Sequence, residues 1–456
     1  MNERITIEVK TPVGTSDSDE VKEIVSQGSP EAAMISSANV SVGVDEAFKD
    51  SENEIKYFDI KLNPQSYMDD VICLSENRNK AQYGNDKMEE MVKRKVLQFN
   101  VDKSNYVIVG KKKARKSLKA EVDKDPLHLC GIQMKEVNSI KFLGDYLAQN
   151  PEESVHETVR RRIGVANLSI IELRTIIEDT RATSVGGINV ALHIFNVAVL
   201  PMLLHNCETW DFISKKTLNI LNRFFNSFFR TILRCSSGAP KPNYYWQTGS
   251  IRVDNLILEK KLLYYHHLAN LPVESLAGEF FQLQLENNIE GIVTECKEHI
   301  MKMGNLNPKQ TSKPLWKKRT KLYIEEKNKA ELLEDIKEYK KLNYEEMSKE
   351  TFERKKYFFE NKLEEVRFVF KIKSEILPTI RKNFPRKYKN QTLNCPSCRS
   401  NDNDLSSPQE DTQKPLMFNC PTFASLRMDK DLVNNDTHLL QFFRDVLEYR
   451  IENNED

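Results

Sequence analysis

Two adjacent aspartates, Asp69 and Asp70, are the side chains whose type and spacing most directly suggest chemistry. Mg²⁺ prefers hard oxygen ligands, and a pair of such ions can activate a 3′-hydroxyl and stabilise a leaving pyrophosphate. Because successive side chains of a strand point to opposite faces, both carboxylates can serve one metal site only where the chain turns. The acid pair therefore indicates either phosphoryl-transfer chemistry at a hairpin or a polar turn without chemistry.

The stretches on either side of the acid pair are typical of two strands. Glu54–Leu62 alternates between two faces, and Val71–Leu74 is a short continuous apolar run,. We expect these strands to be joined at a turn that holds the aspartates. Further upstream, Ser29–Glu31 combines a cap residue, a proline and an acid, which predicts a helix that continues through Phe48,.

Composition excludes a global basic field. The chain has 456 residues, with 68 Lys+Arg against 67 Asp+Glu and a formal net charge of +1, so any attraction to nucleic acid must be local,. The first ten residues contain no apolar run, and the apolar stretch Ile194–Leu204 is too short to span a membrane,. The eight cysteines do not form a disulfide-type pattern,. We expect no membrane partner and a cytoplasmic or nuclear location.

Charge is distributed unevenly along the chain. The first 60 residues are acidic, whereas Lys80–Lys119 is basic and contains the clusters Lys93–Lys95 and Lys111–Lys116. Such a cluster can contact phosphates, act as a nuclear localisation tract or be a solvated loop. Lys and Glu at helical spacing over Lys313–Lys373 predict long solvated helices,.

The middle of the chain, from Gln149 to Glu375, is permissive for helix throughout. One apolar stripe at helical spacing consists of Leu218, Leu221, Phe225, Phe228 and Ile232,. Basic and aromatic side chains alternate in this region, a mixture that can track a phosphate backbone or stack bases. The basic members are Arg160, Arg161, Arg162, Arg223, Arg230, Arg234, Lys260 and Lys261. We expect the arginines to contact nucleic acid and the aromatic side chains to belong to the core.

Four short blocks follow one another along the chain. They are Gln27–Pro30, Tyr67–Asp70, Phe99–Ser104 and Phe142–Gly144. In order and spacing they resemble the successive palm blocks of reverse transcriptases of non-LTR (LINE-type) retrotransposons. The resemblance covers roughly residues 10–150 and continues less specifically through a helical thumb-like region to a cysteine-bearing tail.

The resemblance implies a catalytic role for the acid pair. Asp69 and Asp70 would be the metal-binding carboxylates for Mg²⁺, and Tyr67 would lie near the incoming nucleotide or the primer end. Lys103, in the third block, would lie near the triphosphate, where an ammonium neutralises developing charge. The implied partners are an RNA template and a DNA primer.

The remaining two blocks would position the nucleic acid. Gln27, Gly28 and Ser29 would lie beside the template and the nucleotide, and Gly28 would let a base pair approach the backbone. Phe142, Leu143 and Gly144 would form the primer grip, although a core-packing role for Phe142 is nearly as consistent with the sequence.

The chain departs from the family pattern ahead of Gln27. The family places a further catalytic aspartate there, in an apolar and aromatic strand, together with the fingers. Here the acids lie in a polar stretch with no matching strand, and they include Glu8, Asp17, Asp19, Glu20 and Glu23. We therefore expect an N-terminally truncated chain that lacks the first catalytic aspartate and the fingers and is inactive alone.

Three cysteines of the tail, Cys395, Cys398 and Cys420, are one ligand short of a tetrahedral zinc site,. Related elements carry a histidine shortly before the last cysteine, where this chain has Pro415. A complete site would need His438 or a water molecule, so we expect no zinc binding.

Together these features predict an α+β chain in four parts. Residues 1–150 form a partial polymerase palm of antiparallel sheet and helices, 151–312 a helical thumb-like region, 313–389 a charged helical segment, and 390–456 a tail with a degenerate zinc knuckle. The implied function is that of a retrotransposon RNA-directed DNA polymerase domain, a Mg²⁺-dependent nucleotidyltransferase. The alternative is a non-catalytic nucleic-acid-binding or interaction protein.

Overall fold

The computed structural model describes residues 5–7, 10–11, 14–15, 19–21, 40–48, 55–62, 64–67, 70–95, 97–179, 185–211, 213–339, 342–377, 417, 420–427, 431–432 and 435–452. The chain divides into two compact units, Met1–Ser154 and Val155–Asp456. Helices and small two-stranded sheets make up the described part, which confirms the α+β class. No helix within these ranges combines the length and the apolarity needed to cross a membrane.

The first unit begins with four short strands. β1 (Ile5–Ile7) pairs antiparallel with β4 (Asp19–Val21), and β2 (Lys10–Thr11) pairs with β3 (Gly14–Thr15). The polar stretch ahead of Gln27 thus does form strands, which its sequence did not predict. β4 contains two of the acids of that stretch, but with three residues, Asp-Glu-Val, it is not an apolar and aromatic strand.

Two hairpins follow in the region around the acid pair. β5 (Ile55–Tyr57) pairs with β6 (Ile60–Leu62), and β7 (Gln65–Tyr67) pairs with β8 (Asp70–Ile72). The prediction of one strand over Glu54–Leu62 is therefore wrong. Phe58 has a φ of 53° at a turn that reverses the chain in the middle of that stretch. A two-residue turn interrupts the pleat without interrupting the polar–apolar alternation, so the pattern did not reveal it.

Two helices provide the core of the first unit. α1 spans residues 40–48, and α2 is Arg78–Arg94. Asn77 caps α2 by accepting a hydrogen bond from the backbone N–H of Lys80 at 2.9 Å,. The buried cluster between these helices consists of Val40, Val44, Phe48, Met88, Met91 and Val92. The helix predicted to continue through Phe48 is confirmed over residues 40–48, whereas its predicted start at Ser29–Glu31 lies outside the described residues.

The rest of the first unit is a helix followed by small strand pairs. α3 (Lys112–Lys124) contains most of the second basic cluster, which is therefore helical rather than a loop. The strand pairs are β9 (Asn105–Tyr106) with β12 (Lys135–Glu136), which is parallel, and the antiparallel pairs β10 (His128–Leu129) with β11 (Ile132–Gln133) and β13 (Ser139–Phe142) with β14 (Asp145–Ala148).

Helices dominate the second unit, as the sequence predicted from Gln149 onward. They are α4 (Pro151–Asp179), which begins in the first unit, α5 (Gly187–Ile194), α6 (Leu200–Leu203), α7 (Lys215–Leu233), α8 (Lys241–Thr248), α9 (Val253–Ala269), α10 (Leu276–Asn287), α11 (Ile292–Lys302), α12 (Lys313–Lys337), α13 (Tyr344–Lys349), α14 (Tyr357–Glu360), α15 (Leu363–Lys373), α16 (Ala424–Arg427) and α17 (Asp436–Glu452). A π-helical segment, Phe195–Val199, joins α5 to α6.

The apolar stripe predicted on α7 lies in the core of the second unit. Leu221, Phe225, Phe228 and Ile232 are buried, and Leu218 is partly buried against the same cluster. The ring of Phe228 stacks on that of Phe195 with a centroid separation of 3.8 Å. Burial of one such side chain stabilises the folded state by about 1.5–3 kcal/mol.

The prediction of solvated helices over Lys313–Lys373 is wrong for one face of this segment. Every fourth residue of α12 from Trp316 to Ile336 is buried. Leu332, Ile336 and Phe370 belong to the same buried cluster as the α7 stripe. The many Lys and Glu residues occupy the remaining faces, so a segment with a solvated composition still completes the core.

Candidate active site

The acid pair lies at a tight reversal of the chain. In the β7–β8 hairpin Tyr67 is the direct partner of Asp70, and Ser66 is the partner of Val71. The two residues between Tyr67 and Asp70, which include Asp69, lie outside the described residues. The register leaves two residues for the turn, which is the commonest connection in a β-hairpin. The chain therefore turns at the acid pair, as the sequence led us to expect.

The two faces of this hairpin have different surroundings. Ser66 Oγ lies 2.9 Å from Ser41 Oγ of α1, and Val71 packs against the α1–α2 core. Tyr67 is 52 % exposed, and Asp70 is exposed as well. Because partner residues in an antiparallel pair share a face, the Ser66–Val71 pair faces the core and the Tyr67–Asp70 pair faces solvent. The contact between Ser41 and Ser66 was not predicted from the sequence, because a serine on a helix or strand gives no signal of which residue it contacts.

This geometry fits the ligand chemistry of Mg²⁺. A solvent-facing carboxylate can bind the ion directly and leave room for the several waters that Mg²⁺ usually keeps. Among the described residues, which do not include Asp69, no three His, Cys, Asp or Glu side chains come together as a metal-binding group. The predicted Mg²⁺ site therefore rests on Asp70 and on the position of the turn.

The segment that carries Lys103 is attached to the same core. Phe99 packs against the α1–α2 cluster, and four residues later Lys103 ends a short 3₁₀ turn, Val101–Lys103. The Asn100 side chain accepts a hydrogen bond from the backbone N–H of Lys103, at 3.3 Å, and fixes the turn. The Lys103 side chain is exposed. One core thus supports both the acid hairpin and the predicted triphosphate lysine.

The predicted primer grip forms the turn of the β13–β14 hairpin. Phe142 is the direct partner of Asp145, and the two turn residues, Leu143 and Gly144, have φ values of 49° and 84°. Two consecutive positive φ values define the primed turn that matches the twist of paired strands. The Phe142 side chain is half-buried. The predicted template-side residues Gln27, Gly28 and Ser29 lie outside the described residues.

The basic cluster on α3 is largely exposed. Lys111, Lys112, Lys113 and Lys116 are all exposed, whereas Lys119 forms an ion pair with Glu136 at 2.5 Å. That ion pair raises the pKa of Lys119. The four exposed lysines, which have no ion-pair partner among the described residues, form a local positive surface on a chain with almost no net charge,.

In the second unit, intramolecular contacts occupy most of the basic residues expected to bind nucleic acid. Arg160 and Arg161 both pair with Glu157, and their hydrogen bonds lower the pKa of that carboxyl to about 2. Arg162 is buried beside the ring of Trp210, and Lys261 is buried in an ion pair with Glu295. Arg234 pairs with two carboxylates, whereas Arg223 and Arg230 are exposed.

The aromatic side chains of this region are core residues, as expected. Phe224, Phe225, Phe228, Phe229, Tyr244, Tyr245 and Trp246 are all buried. Base stacking on these rings is therefore excluded in this structure.

The tail contributes one described cysteine. Cys420 is buried in a small cluster with Phe423, Phe442 and Phe443. His438 accepts a hydrogen bond at Nδ1 from the backbone N–H of Asp431, at 3.1 Å. Cys395, Cys398 and Pro415 lie outside the described residues, so the absence of zinc binding stays a prediction.

Comparison with known proteins finds no matching family model, no matching curated protein and no matching solved structure. The likeness to reverse transcriptases therefore depends on the four sequence blocks.

Proposed function

We propose that the first unit carries a reverse-transcriptase-type site for Mg²⁺-dependent nucleotidyl transfer, with Asp69 and Asp70 as its metal-binding carboxylates. The observation that carries this proposal is the β7–β8 hairpin, which reverses at the acid pair and turns Tyr67 and Asp70 toward solvent while Ser66 and Val71 hold it to the core. A polar turn without a chemical role would not need these contacts between the hairpin and the core.

Each block of the resemblance has a role in this proposal. When bound, Mg²⁺ would polarise the phosphate and lower the charge between the reacting oxygens. Asp70 supplies an exposed oxygen ligand, Tyr67 lies beside it on the same face, and Lys103 offers an ammonium to the triphosphate. Gln27, Gly28 and Ser29 would contact the template, and the turn at Leu143 would support the primer end. The proposed partners are an RNA template and a DNA primer, and a retrotransposon is the proposed origin.

Metal binding by the acid pair tests the proposal directly. Mn²⁺ takes the same oxygen ligands as Mg²⁺ and can be counted by electron paramagnetic resonance. We expect the full chain to bind Mn²⁺, Mg²⁺ to compete for it, and Asp69→Asn/Asp70→Asn to lose the binding. The matched control is Asp59→Asn/Asp123→Asn, which removes the same charge from two exposed aspartates of the same unit. Equal Mn²⁺ binding by the two variants would refute the proposed site.

A second candidate function is favoured by the exposed lysines of α3. A non-catalytic nucleic-acid-binding protein needs such a surface but needs no metal at the acid pair. Nucleic-acid binding that persists in a chain without Mn²⁺ binding would favour this second function.

A further inference from the structure

Charge is partitioned along α12. The first twelve residues, Lys313–Ile324, contain five basic side chains and no acid, and the next eleven, Glu325–Asp335, contain five acids. We call the five basic residues of the first part the α12 basic patch: Lys313, Lys317, Lys318, Arg319 and Lys321. All five are exposed.

Contacts with α9 fix the direction in which the patch points. Trp316 is buried and donates a hydrogen bond from Nε1 to the carbonyl of Leu262, at 2.9 Å. Thr320 and Ile324, which follow at four-residue intervals, are fully buried. Because these residues occupy the face of the helix toward the core, the basic residues between them must project into solvent.

Lysines in the two parts of α12 differ in their partners. In the second part Lys327 pairs with Glu331, and Lys337 pairs with Glu334 at 2.6 Å. In the patch, Lys321 reaches Glu325 at 3.9 Å, and within the described residues no carboxylate lies within ion-pair distance of the other four members. Burial raises the pKa of Glu259 on α9, and the positive charges of Lys321 and Lys317 act against that larger effect by lowering it. The patch is therefore only partly compensated, whereas the rest of the helix follows the usual pairing of surface charges.

Lys313, the first member of the patch, also opposes the helix dipole. The N-terminal turns of a helix carry partial positive charge, which disfavours cations there and favours anions. The first turn of α12 contains no acid, and Ser312 makes no side-chain capping hydrogen bond. Lys313 thus occupies an unfavourable position that an external polyanion would relieve.

We propose that the α12 basic patch binds the phosphate backbone of nucleic acid. From Lys313 to Lys321 the helix rises about 12 Å, and duplex nucleic acid presents about one negative charge per 1.7 Å of its axis, so several phosphates come within reach. A membrane surface fits less well, because a helix that lies on a bilayer inserts its apolar face, and here that face is buried in the protein,. The proposal goes beyond the proposed function, since it concerns the second unit and requires no metal.

Salt dependence of binding tests the patch. The probe is a fluorescent 20-base-pair RNA–DNA hybrid, titrated with the full chain at several salt concentrations. We compare Lys317→Gln/Lys318→Gln/Arg319→Gln with the control Lys302→Gln/Lys337→Gln/Lys349→Gln, which removes the same charge from exposed lysines of the same unit. Each lost phosphate contact lowers the slope of log K against log salt by about 0.9, so we expect the patch variant to lose about two to three from the slope and the control to keep it.

Several outcomes would overturn the proposal. Equal losses in the two variants would indicate a general charge effect, and a patch variant that binds like the wild type would show that the patch makes no contact. Retained hybrid binding with lost binding to phosphatidylserine vesicles would assign the patch to a lipid surface. Displacement of the hybrid by polyglutamate at equal charge concentration would assign it to acidic protein. Circular dichroism verifies that both variants fold. Mn²⁺ binding at the acid pair is measured separately, so a failure of the α12 proposal does not imply a failure of the proposed function.

Discussion

Asp70 lies directly opposite Tyr67 in an antiparallel pair, and together they form the solvent-facing end of a hairpin whose other face contacts the core. This relationship gives Asp70 a defined position although the local sequence is that of an ordinary polar turn.

The first prediction concerns polymerisation by the chain alone. Two metal ions require more carboxylate ligands than the acid pair supplies. Ahead of Gln27, the acids that the structure describes are Asp19 and Glu20 on the short strand β4, which is not the apolar and aromatic strand of the family pattern. We expect purified chain to extend a DNA primer on an RNA template no faster than Asp69→Ala/Asp70→Ala. Extension above that background would show that the chain contains a complete site.

The second concerns backbone strain at the predicted primer grip. Leu143 has a φ of 49°, a region that costs a non-glycine residue about 1–2 kcal/mol,. Glycine relieves this strain but loses more backbone entropy on folding than leucine does. We therefore expect Leu143→Gly to raise the free energy of unfolding by about 0.5–1 kcal/mol. Urea denaturation measures the change. Leu97→Gly, at an exposed leucine without positive φ, should destabilise instead, and the idea fails if both variants change stability in the same direction.

The third is a pH dependence at Glu157. Hydrogen bonds from Arg160 and Arg161 lower the pKa of this carboxyl to about 2 in the folded chain. A lowered folded-state pKa contributes stability that is present above the ordinary pKa of about 4.3 and is lost as the pH falls toward 2. We expect Glu157→Gln to be less stable than the wild type at pH 7 by about 0.3–1 kcal/mol, since the arginines are largely exposed,.

The difference between Glu157→Gln and the wild type should shrink as the pH falls from about 4.3 to 2. Chemical denaturation at pH 7, 4 and 2.5 measures the free energy of unfolding of both proteins. A stability difference that does not change with pH would mean that the Glu157 carboxyl has the same pKa in the folded and the unfolded chain.

The fourth addresses the core of the second unit. Phe228 is fully buried and stacked on Phe195, so Phe228→Ala should cost about 3–5 kcal/mol of stability,. Leu168 of α4 is 62 % exposed, and Leu168→Ala should change stability by less than about 0.5 kcal/mol. Thermal unfolding of both variants compares the two sites, and similar losses would contradict the assignment of Phe228 to the core.

The fifth concerns zinc. With Pro415 in place of a fourth ligand, the full chain should not retain stoichiometric zinc after dialysis against a mild chelator,. Pro415→His should raise the zinc affinity, because the thiolates are already present. Metal analysis measures the zinc content of the wild type and of Pro415→His. One zinc per wild-type chain, lost in His438→Ala, would show that His438 completes the site.

The sequence predicted those features that a single period or turn signal determines. The α7 stripe from Leu221 to Ile232 follows from apolar residues at helical spacing. The reversal just before Asp70 was also expected, although the strand ahead of it is β7 rather than Glu54–Leu62. The turn at Phe58 was missed, because a left-handed phenylalanine carries no residue signal. Thr320 and Asn328 of α12 were missed as core positions, because buried polar side chains break the apolar pattern that reveals a stripe.

The four-residue spacing of the buried side chains on α12 has a geometrical consequence. Each step of four residues overshoots a full turn by about 40°, so the five steps from Trp316 to Ile336 carry the buried stripe roughly halfway around the helix axis. α12 accordingly contacts α9, α8 and α13. The solvent-facing side rotates with the stripe, by about 120° over the three steps from Thr320 to Leu332, so the cationic and anionic parts of α12 face different directions. A polyanion that approaches the second unit therefore meets attraction at the start of α12 and repulsion further along it, and this field favours one orientation before any specific contact forms.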